Sequence, residues 1–380
     1  MTVDTAPLRR ALAAEIGTSN PTLAPQWGAA VAAVPRDLFL DTALYRPAGS
    51  RWEPVRRGEV GEQEWLRLVY ADRTLVTQVD GVDAADATGP ISGIPTSSAT
   101  LPSLVVRTLQ VAELQGGDKV LEVGTGTGYS TAILCHRLGE KQVVSIEYDT
   151  AVAASAAAHL KSAGYSPTLV VGDGLQGHQE QADYDAVIAT CAVRSIPRSW
   201  LWQLADGGSI TTTISGWMLA SGLIRLTLDD TGAAHGRFTA DPISYMLARP
   251  HERPPHPVLL RHDGNTSHAR VAPALLQEWA GCFVAQLAAP SAELMTSGDG
   301  VVLRDVATGS QAWTETDGKG STVHQHGPLR LWDQVEAALE TWQSAGAPAL
   351  AEFGMTVSDT ALDQTVWLGS PDGPRWHLPI

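Results

Sequence analysis

Three glycines at alternate positions, Gly124, Gly126 and Gly128, follow the apolar run Val120 to Val123, and Tyr129 to Leu138 then carries a helical pattern. Glycine lacks a Cβ, so such a loop lets a nucleotide-like ligand approach the backbone while the following helix offers it unpaired N–H groups. The spacing selects among nucleotides. A dinucleotide fingerprint reads G-x-G-x-x-G and holds a pyrophosphate at the helix N-terminus; here the glycines alternate and an acid, Glu122, stands inside the strand end. S-adenosylmethionine suits this loop better, because it carries no phosphate and its charged methionine head and sulfonium favour carboxylates. Glu122 would hold the ammonium group directly or through water, with Thr125, Thr127 and Tyr129 completing the loop.

Further acids stand at the next strand ends. Gln142 to Ile146 leads to Glu147, about twenty residues after the loop, where a carboxylate grips both ribose hydroxyls. Tyr148 follows it. Thr168 to Val171 leads to Gly172-Asp-Gly174, which sets Asp173 against the adenine amino group, with Gly174 and Leu175 beside it. Tyr184 to Ala189 ends at Thr190. In an open α/β sheet, ligands lie at the carboxyl ends of the strands, and here these ends present small or acidic residues on one edge.

The elements that position these residues read as follows. Thr5 to Ile16 and Gln26 to Ala33 are amphipathic helices, and Asp80 to Pro95 is a long loop of the kind that serves as a lid or binding loop. Ser98 starts a helix running to about Glu113, with Ser97 or Ser98 near the N-cap. Strands follow near 119 to 123, 142 to 147, 168 to 172 and 184 to 189, then Asp206-Gly-Gly208 turns into Ser209 to Ile214, and Gly222 to Leu228 returns. Pieces near 235 to 239 and 243 to 248 extend the sheet. The fold class is therefore α/β, a Rossmann-like class I methyltransferase sheet with a terminal antiparallel hairpin and a smaller α+β C-terminal domain. Residues 1–249 form the methyltransferase domain, the proline-rich stretch 250–257 is a linker, and 258–380 form an accessory domain with helices over 272 to 287 and 329 to 344. Many of the 12 Trp fall there, as core or as a peptide-binding surface.

Composition narrows the partners. The chain has 380 residues, 44% hydrophobic and 18% charged, as expected of a folded soluble protein. A net charge of −15 opposes nucleic-acid binding, and no apolar run reaches the roughly 18 residues of a membrane helix. These features predict a cytoplasmic protein with neither nucleic acid nor membrane as partner. Cys135, Cys191 and Cys282 are isolated, and His251, His256, His262, His268, His324 and His326 fit no closed zinc spacing, so no metal is expected.

Taken together, Val34-Pro-Arg-Asp-Leu-Phe39, Thr96 to Ser98 with Pro102, Leu121-Glu-Val-Gly-Thr-Gly-Thr-Gly128, Ser145-Ile-Glu147, Val171-Gly-Asp-Gly174 and Tyr184-Asp-Ala-Val-Ile188 resemble the protein L-isoaspartate O-methyltransferases. The resemblance runs from about residue 5 to about 228. Ser98 falls where that family has its active-site serine at the start of a helix, and Arg36 is implied as a partner for the substrate carboxylate. Thr96 and Ser97 are implied helpers. Departures are the segment Leu75 to Pro95, longer than the family's, and roughly 150 residues after the usual end. With Pro95-Thr-Ser-Ser98, Trp217 and Trp367 to His377, these look like a branch found with biosynthetic clusters for graspetides and some lanthipeptides. That branch implies methylation of an ordinary Asp in a cyclised precursor peptide, whose ester collapses to an aspartimide or on to isoaspartate.

The chemistry such a site requires is modest. A carboxylate with a pKa near ~4 is already ionised at neutral pH, so attack on a sulfonium methyl depends on placement and on stripping water from the oxygen. Ser98 would hold one carboxylate oxygen while the other faces the methyl. Three rivals stand beside the biosynthetic reading: repair of isoaspartate in damaged proteins, a peptide-binding partner with a vestigial cofactor site, and a nicotinamide oxidoreductase. The intact Glu122, Glu147 and Asp173 oppose the second, and the loop spacing and terminal hairpin oppose the third.

Overall fold

The computed structural model describes residues 3–255, 261–297, 300–317 and 320–380, and the chain divides into two compact units, Met1–Thr190 with Trp202–Thr211, and Cys191–Leu201 with Thr212–Ile380.

The first unit holds two sheets. Strands β1 (Ala43–Ala48), β2 (Arg51–Arg56), β3 (Leu75–Val79) and β4 (Val82–Asp83) run in the order β2-β1-β3-β4, and β5 (Pro95–Ala99) also pairs with β3. The second sheet contains β6 (Val120–Val123), β7 (Val143–Glu147), β8 (Thr168–Val171), β9 (Tyr184–Val193) and β10 (Leu204–Ile214), in the order β10-β9-β6-β7-β8. β6 is parallel to β7 and to β9, and β7 to β8. The strand order therefore reverses at β6, and the crevice beyond its carboxyl end is the switch point where such sheets bind ligands. Strands buried on both faces read as near-continuous apolar runs, which is why Val120, Leu121 and Val123 announced β6 and why Glu122 stands out within it. Helices Ala6–Ser19, Pro25–Ala33, Pro102–Val111 and Tyr129–Leu138 supply Ile16, Trp27, Val106, Leu109 and Ile133 to one core with Val120 and Ile188.

The helix expected to start at Ser98 begins at Pro102 instead. Proline at the first helical position has no N–H to leave unpaired, and it holds the preceding Leu101 extended (φ −57°, ψ 134°). Residues 95–99 then continue as β5, with Ser98 opposite Val76 and Ser97 opposite Gln78. Ser98 lies in a strand rather than at a helix cap.

In the second unit, β11 (Gly222–Leu228) has the bounds read from the sequence, β12 (Ala234–Arg237) pairs with it, and residues 243–248 contribute one bridge, Leu247 to Ala192, in place of a strand. β13 (Asn265–His268), β14 (Ala292–Ser297), β15 (Gly300–Asp305), β16 (Gln311–Asp317) and β17 (Gly320–His326) form an antiparallel sheet in the order β13-β17-β16-β15-β14. β18 (Phe353–Val357), β19 (Gln364–Leu368) and β20 (Arg375–His377) continue outward from β12. The division drawn at 250–257 would part β12 from β18, which pair from Ala234↔Val357 to Arg237↔Gly354. Phe353, Met355 and Val357 are fully buried along β18, and the paired edge of β12 helps to exclude water from them. Residues 256–257 of the expected linker, His256 among them, lie outside the described residues. Trp332, Trp342 and Trp367 are interior rings, and Trp217 is half-buried with the Arg194 guanidinium 3.8 Å from its ring centroid. No described helix is long and apolar enough to cross a membrane.

Candidate active site

The glycine loop is held from both neighbouring strands. Gly124 and Thr125 donate their N–H groups to Ile146 O at 2.9 and 3.1 Å, Thr125 Oγ1 lies 2.6 Å from Ser145 Oγ, and Thr190 Oγ1 donates to Gly124 O at 2.5 Å. Gly126 and Gly128 have φ of +56° and +91°, the left-handed region that favours glycine, and a Cβ on Gly128 would press on Leu160 at 3.2 Å. Thr125 and Thr127 are buried within the loop.

Glu122 is completely buried. Its Oε2 accepts from Thr131 Oγ1 at 2.5 Å and from Ser145 Oγ at 2.7 Å, while its Oε1 has no partner. Burial raises its pKa, against the pull of the surrounding hydroxyls. Glu147, half-buried at the end of β7, accepts from Gly126 N–H at 2.8 Å and from Asp149 N–H at 3.0 Å. Asp173 accepts from Leu175 N–H at 3.0 Å and caps the short 3₁₀ turn Gly174–Gln176. Gly174 is packed against Val123, where a Cβ would clash at 2.4 Å, and Tyr148, next after Glu147 in the chain, is 53% exposed. A side-chain-free cradle, a buried orphan acceptor in Glu122, and Glu147 and Asp173 at successive strand ends fit S-adenosylmethionine. Tyr129 departs from the cofactor set: its ring is 3% exposed and packs edge-on to Phe39 in the core, because the first turn of its helix faces inward.

The serine strand lies against this loop. Ser98 is half-buried, and its carbonyl oxygen is 3.6 Å from where a Gly126 Cβ would stand. Thr96 Oγ1 donates to Gln78 Oε1 at 2.7 Å and accepts from Gly81 N–H at 3.0 Å, whereas Ser97 is buried opposite Gln78. Arg36 is not available to a substrate carboxylate. It is fully buried, and its two terminal nitrogens donate to five backbone carbonyls: Val69 (2.7 Å), Ala71 (3.0 Å), Arg73 (2.9 Å), Ala99 (3.3 Å) and Thr100 (3.2 Å). Burial lowers its pKa to about 10, so it stays charged and pins the chain just after Ser98.

Three residues near the site were not read from the sequence. Asp149 caps helix Thr150–Ser162 by accepting from Ala151 and Val152 N–H, and Asp-Thr-Ala-Val is a local signal that could have found it. Gln78 reaches Asp149 at 3.2 Å, and His159 lies 3.1 Å from Thr127 O and 3.0 Å from Asp41. Neither carries such a signal, since each depends on contacts far along the chain. Among the described residues, no three His, Cys, Asp or Glu side chains are grouped to hold a metal.

A family model described as protein-L-isoaspartate(D-aspartate) O-methyltransferase matches residues 55–219, the stretch that contains β5, the glycine loop and all three acids. A protein-L-isoaspartate O-methyltransferase of Syntrophobacter fumaroxidans is 35% identical over 201 residues, 53% of this chain and 88% of the relative. The chain belongs to this family. A family relative from Ignicoccus hospitalis is 42% identical over 156 residues, 40% of this chain and 72% of its own length. Membership makes the protein an S-adenosylmethionine-dependent carboxyl O-methyltransferase of proteins or peptides. A solved protein-L-isoaspartate O-methyltransferase shares the fold with TM-score 0.53 at 20% identity, over 92% of this chain and 96% of its own. So large a share must include most of the residues after 257. The C-terminal extension, read from the sequence as a departure from the family, thus has a structural counterpart within it.

Proposed function

We propose that this methyltransferase esterifies the free carboxylate of isoaspartyl residues in proteins or peptides, with Ser98 holding the substrate carboxylate. The observation that supports the assignment is the nearness of the Ser98 carbonyl to Gly126, 3.6 Å from where a Cβ on that glycine would stand, with a hydroxyl-bearing strand thus beside the cofactor cradle. When bound, the cofactor would supply a sulfonium methyl group whose carbon an ionised carboxylate oxygen attacks in line, the C–S bond breaking as the C–O bond forms and the neutral thioether leaving, with no proton transfer. Glu147 would hold the ribose hydroxyls and Asp173 the adenine amino group. Ser98 would donate its hydroxyl to one carboxylate oxygen and leave the other facing the methyl. Arg36 acts only through the backbone, by fixing Ala99 and Thr100.

The biosynthetic reading, an ordinary Asp in a cyclised precursor, rests on the C-terminal extension together with Leu75 to Pro95, Pro95-Thr-Ser-Ser98, Trp217 and Trp367 to His377. The fold shared with a solved protein-L-isoaspartate O-methyltransferase over nearly the whole length takes weight from the extension, and the family relatives favour the isoaspartyl substrate. Mass spectrometry of an isoaspartyl peptide, its normal Asp counterpart and a macrocyclic Asp peptide under one set of conditions decides between them. A methyl gain on the isoaspartyl peptide alone is the expected result; preference for the macrocycle would return the substrate to peptide biosynthesis.

A further inference from the structure

The segment Leu75 to Pro95, which contains β3 and β4, holds one side chain that reaches both halves of the site. Gln78 is 4% exposed, and its amide is used at both ends. Oε1 accepts from Thr96 Oγ1 at 2.7 Å, and Nε2 donates to Asp149 Oδ2 at 3.2 Å. Asp149 N–H donates to Glu147 Oε1 at 3.0 Å, and Glu147 Oε2 accepts from Gly126 N–H at 2.8 Å. A continuous line of hydrogen bonds therefore runs from the serine strand to the cofactor carboxylate and into the glycine loop. The pairing of β3 with β5 shifts register on both sides of Gln78, between Val76 and Gln78 and between Gln78 and Val79. Such irregularities re-aim a side chain at the expense of ladder hydrogen bonds.

We propose that Gln78 is a positioning residue that couples occupancy of Glu147 by the cofactor to the placement of Ser98, two residues from Thr96 on the same strand. This rests on the functional reading above, with cofactor at Glu147 and substrate at Ser98. The amide is suited to the task because it offers an acceptor to Thr96 and a donor to Asp149, an arrangement that an ionised carboxylate cannot supply. Ribose hydroxyls bound to Glu147 bear on the same carboxylate that accepts from Asp149, and Asp149 in turn fixes Gln78. Coupling of this kind is reciprocal, so substrate peptide must also tighten cofactor binding.

The test uses the full chain, S-adenosylhomocysteine and an isoaspartyl peptide. In Gln78→Leu, calorimetry should show affinity for S-adenosylhomocysteine alone within about threefold of wild type, while its enhancement by peptide is lost and kcat/KM falls about tenfold. Gln78→Glu adds a readout that a structural role would not move. Once protonated, its carboxyl donates to Asp149 and accepts from Thr96 as the amide does, so its kcat relative to wild type should recover as pH is lowered from about 8 to about 6. Thr96→Val, which cuts the same line at its other end, should lose the same enhancement and keeps the test open if a Gln78 variant folds poorly. Wild-type coupling and kinetics in Gln78→Leu, or a wild-type pH profile in Gln78→Glu, would overturn the proposal while leaving the methyltransferase reading intact. Wild-type enzyme that binds no S-adenosylhomocysteine would overturn both.

Discussion

A Cβ on Gly126 would stand 3.6 Å from the carbonyl oxygen of Ser98, in ordinary van der Waals contact, so the serine strand and the cofactor loop are about one methyl group apart at this point. Gly126 also adopts φ +56° and donates to Glu147. Gly126→Ala should therefore suffer chiefly from backbone strain of about 1 to 2 kcal/mol, with its methyl filling the gap between cofactor loop and serine strand. Initial rates on an isoaspartyl peptide should fall more than tenfold, beyond the loss in S-adenosylhomocysteine affinity. Equal losses in both would place the damage in the loop alone.

Ser98→Ala removes a hydroxyl assigned to the substrate and not to the cofactor. Because Ser98 sits in β5 and caps no helix, stability should barely change, so the kinetic loss can be read directly. Turnover should drop about tenfold or more with S-adenosylhomocysteine affinity intact, as expected when an interaction with the nucleophile is lost. Normal turnover would take Ser98 out of the reaction.

Glu147→Ala should weaken S-adenosylmethionine binding by about 1 to 3 kcal/mol, through lost hydrogen bonds to the ribose and a loosened Gly126. Glu147→Gln, which still accepts from one N–H, should lose less. Calorimetry showing unchanged affinity in the alanine variant would remove this carboxylate from the cofactor site.

What could be read from the sequence was local. Alternating glycines after an apolar run, and an acid closing each strand, fixed β6, β7 and β8 to within a residue or two and set Glu147 and Asp173 at their ends. Ser98 takes its place against the substrate carboxylate from the resemblance, and the local pattern sets it in the wrong element: Ser-Ser-Ala-Thr-Leu-Pro contains a plausible cap, and only the pairing with β3 shows that the chain stays extended through Ala99. Arg36 went astray for a similar reason. Its fate depends on carbonyls from two separate stretches, 69–73 and 99–100, which no local pattern encodes. The β12–β18 pairing, which crosses the expected domain boundary, is another long-range contact.

Arg36→Met tests the revised role. Without the guanidinium, five carbonyls lose a donor, those of Val69 and Ala99 in a buried setting, and a loss of at least about 3 kcal/mol in chemical denaturation is expected. Activity should fall with it, because Ala99 and Thr100 are no longer held. A variant with wild-type stability and only a raised KM for peptide would restore Arg36 to the substrate site.

His159 gives the fold a defined pH response. Its Nε2 lies 3.0 Å from Asp41 Oδ1 and its Nδ1 3.1 Å from Thr127 O in the glycine loop. Both partners only accept, so both bonds form together only with the imidazolium. Burial pulls the His159 pKa down, but the hydrogen bonds to Asp41 and Thr127 and the charges of Asp41 and Asp83 outweigh it and leave the pKa above 6.5; the bond to His159 holds Asp41 below 3.8. A raised histidine pKa stabilises the fold fully below the unfolded value and is lost as pH rises through the folded one. The lowered Asp41 pKa acts in the opposite sense, contributing above its unfolded value and fading as pH falls through the folded one. The Tm difference between wild type and His159→Gln should therefore be widest between 3.8 and 6.5 and shrink at higher pH. Because Thr127 belongs to the cofactor loop, affinity for S-adenosylhomocysteine should decline over the same alkaline range in wild type and stay flat in the variant. A Tm difference that holds constant from pH 5 to about 9 would show that neutral histidine serves equally well and that the loop is not tethered by charge.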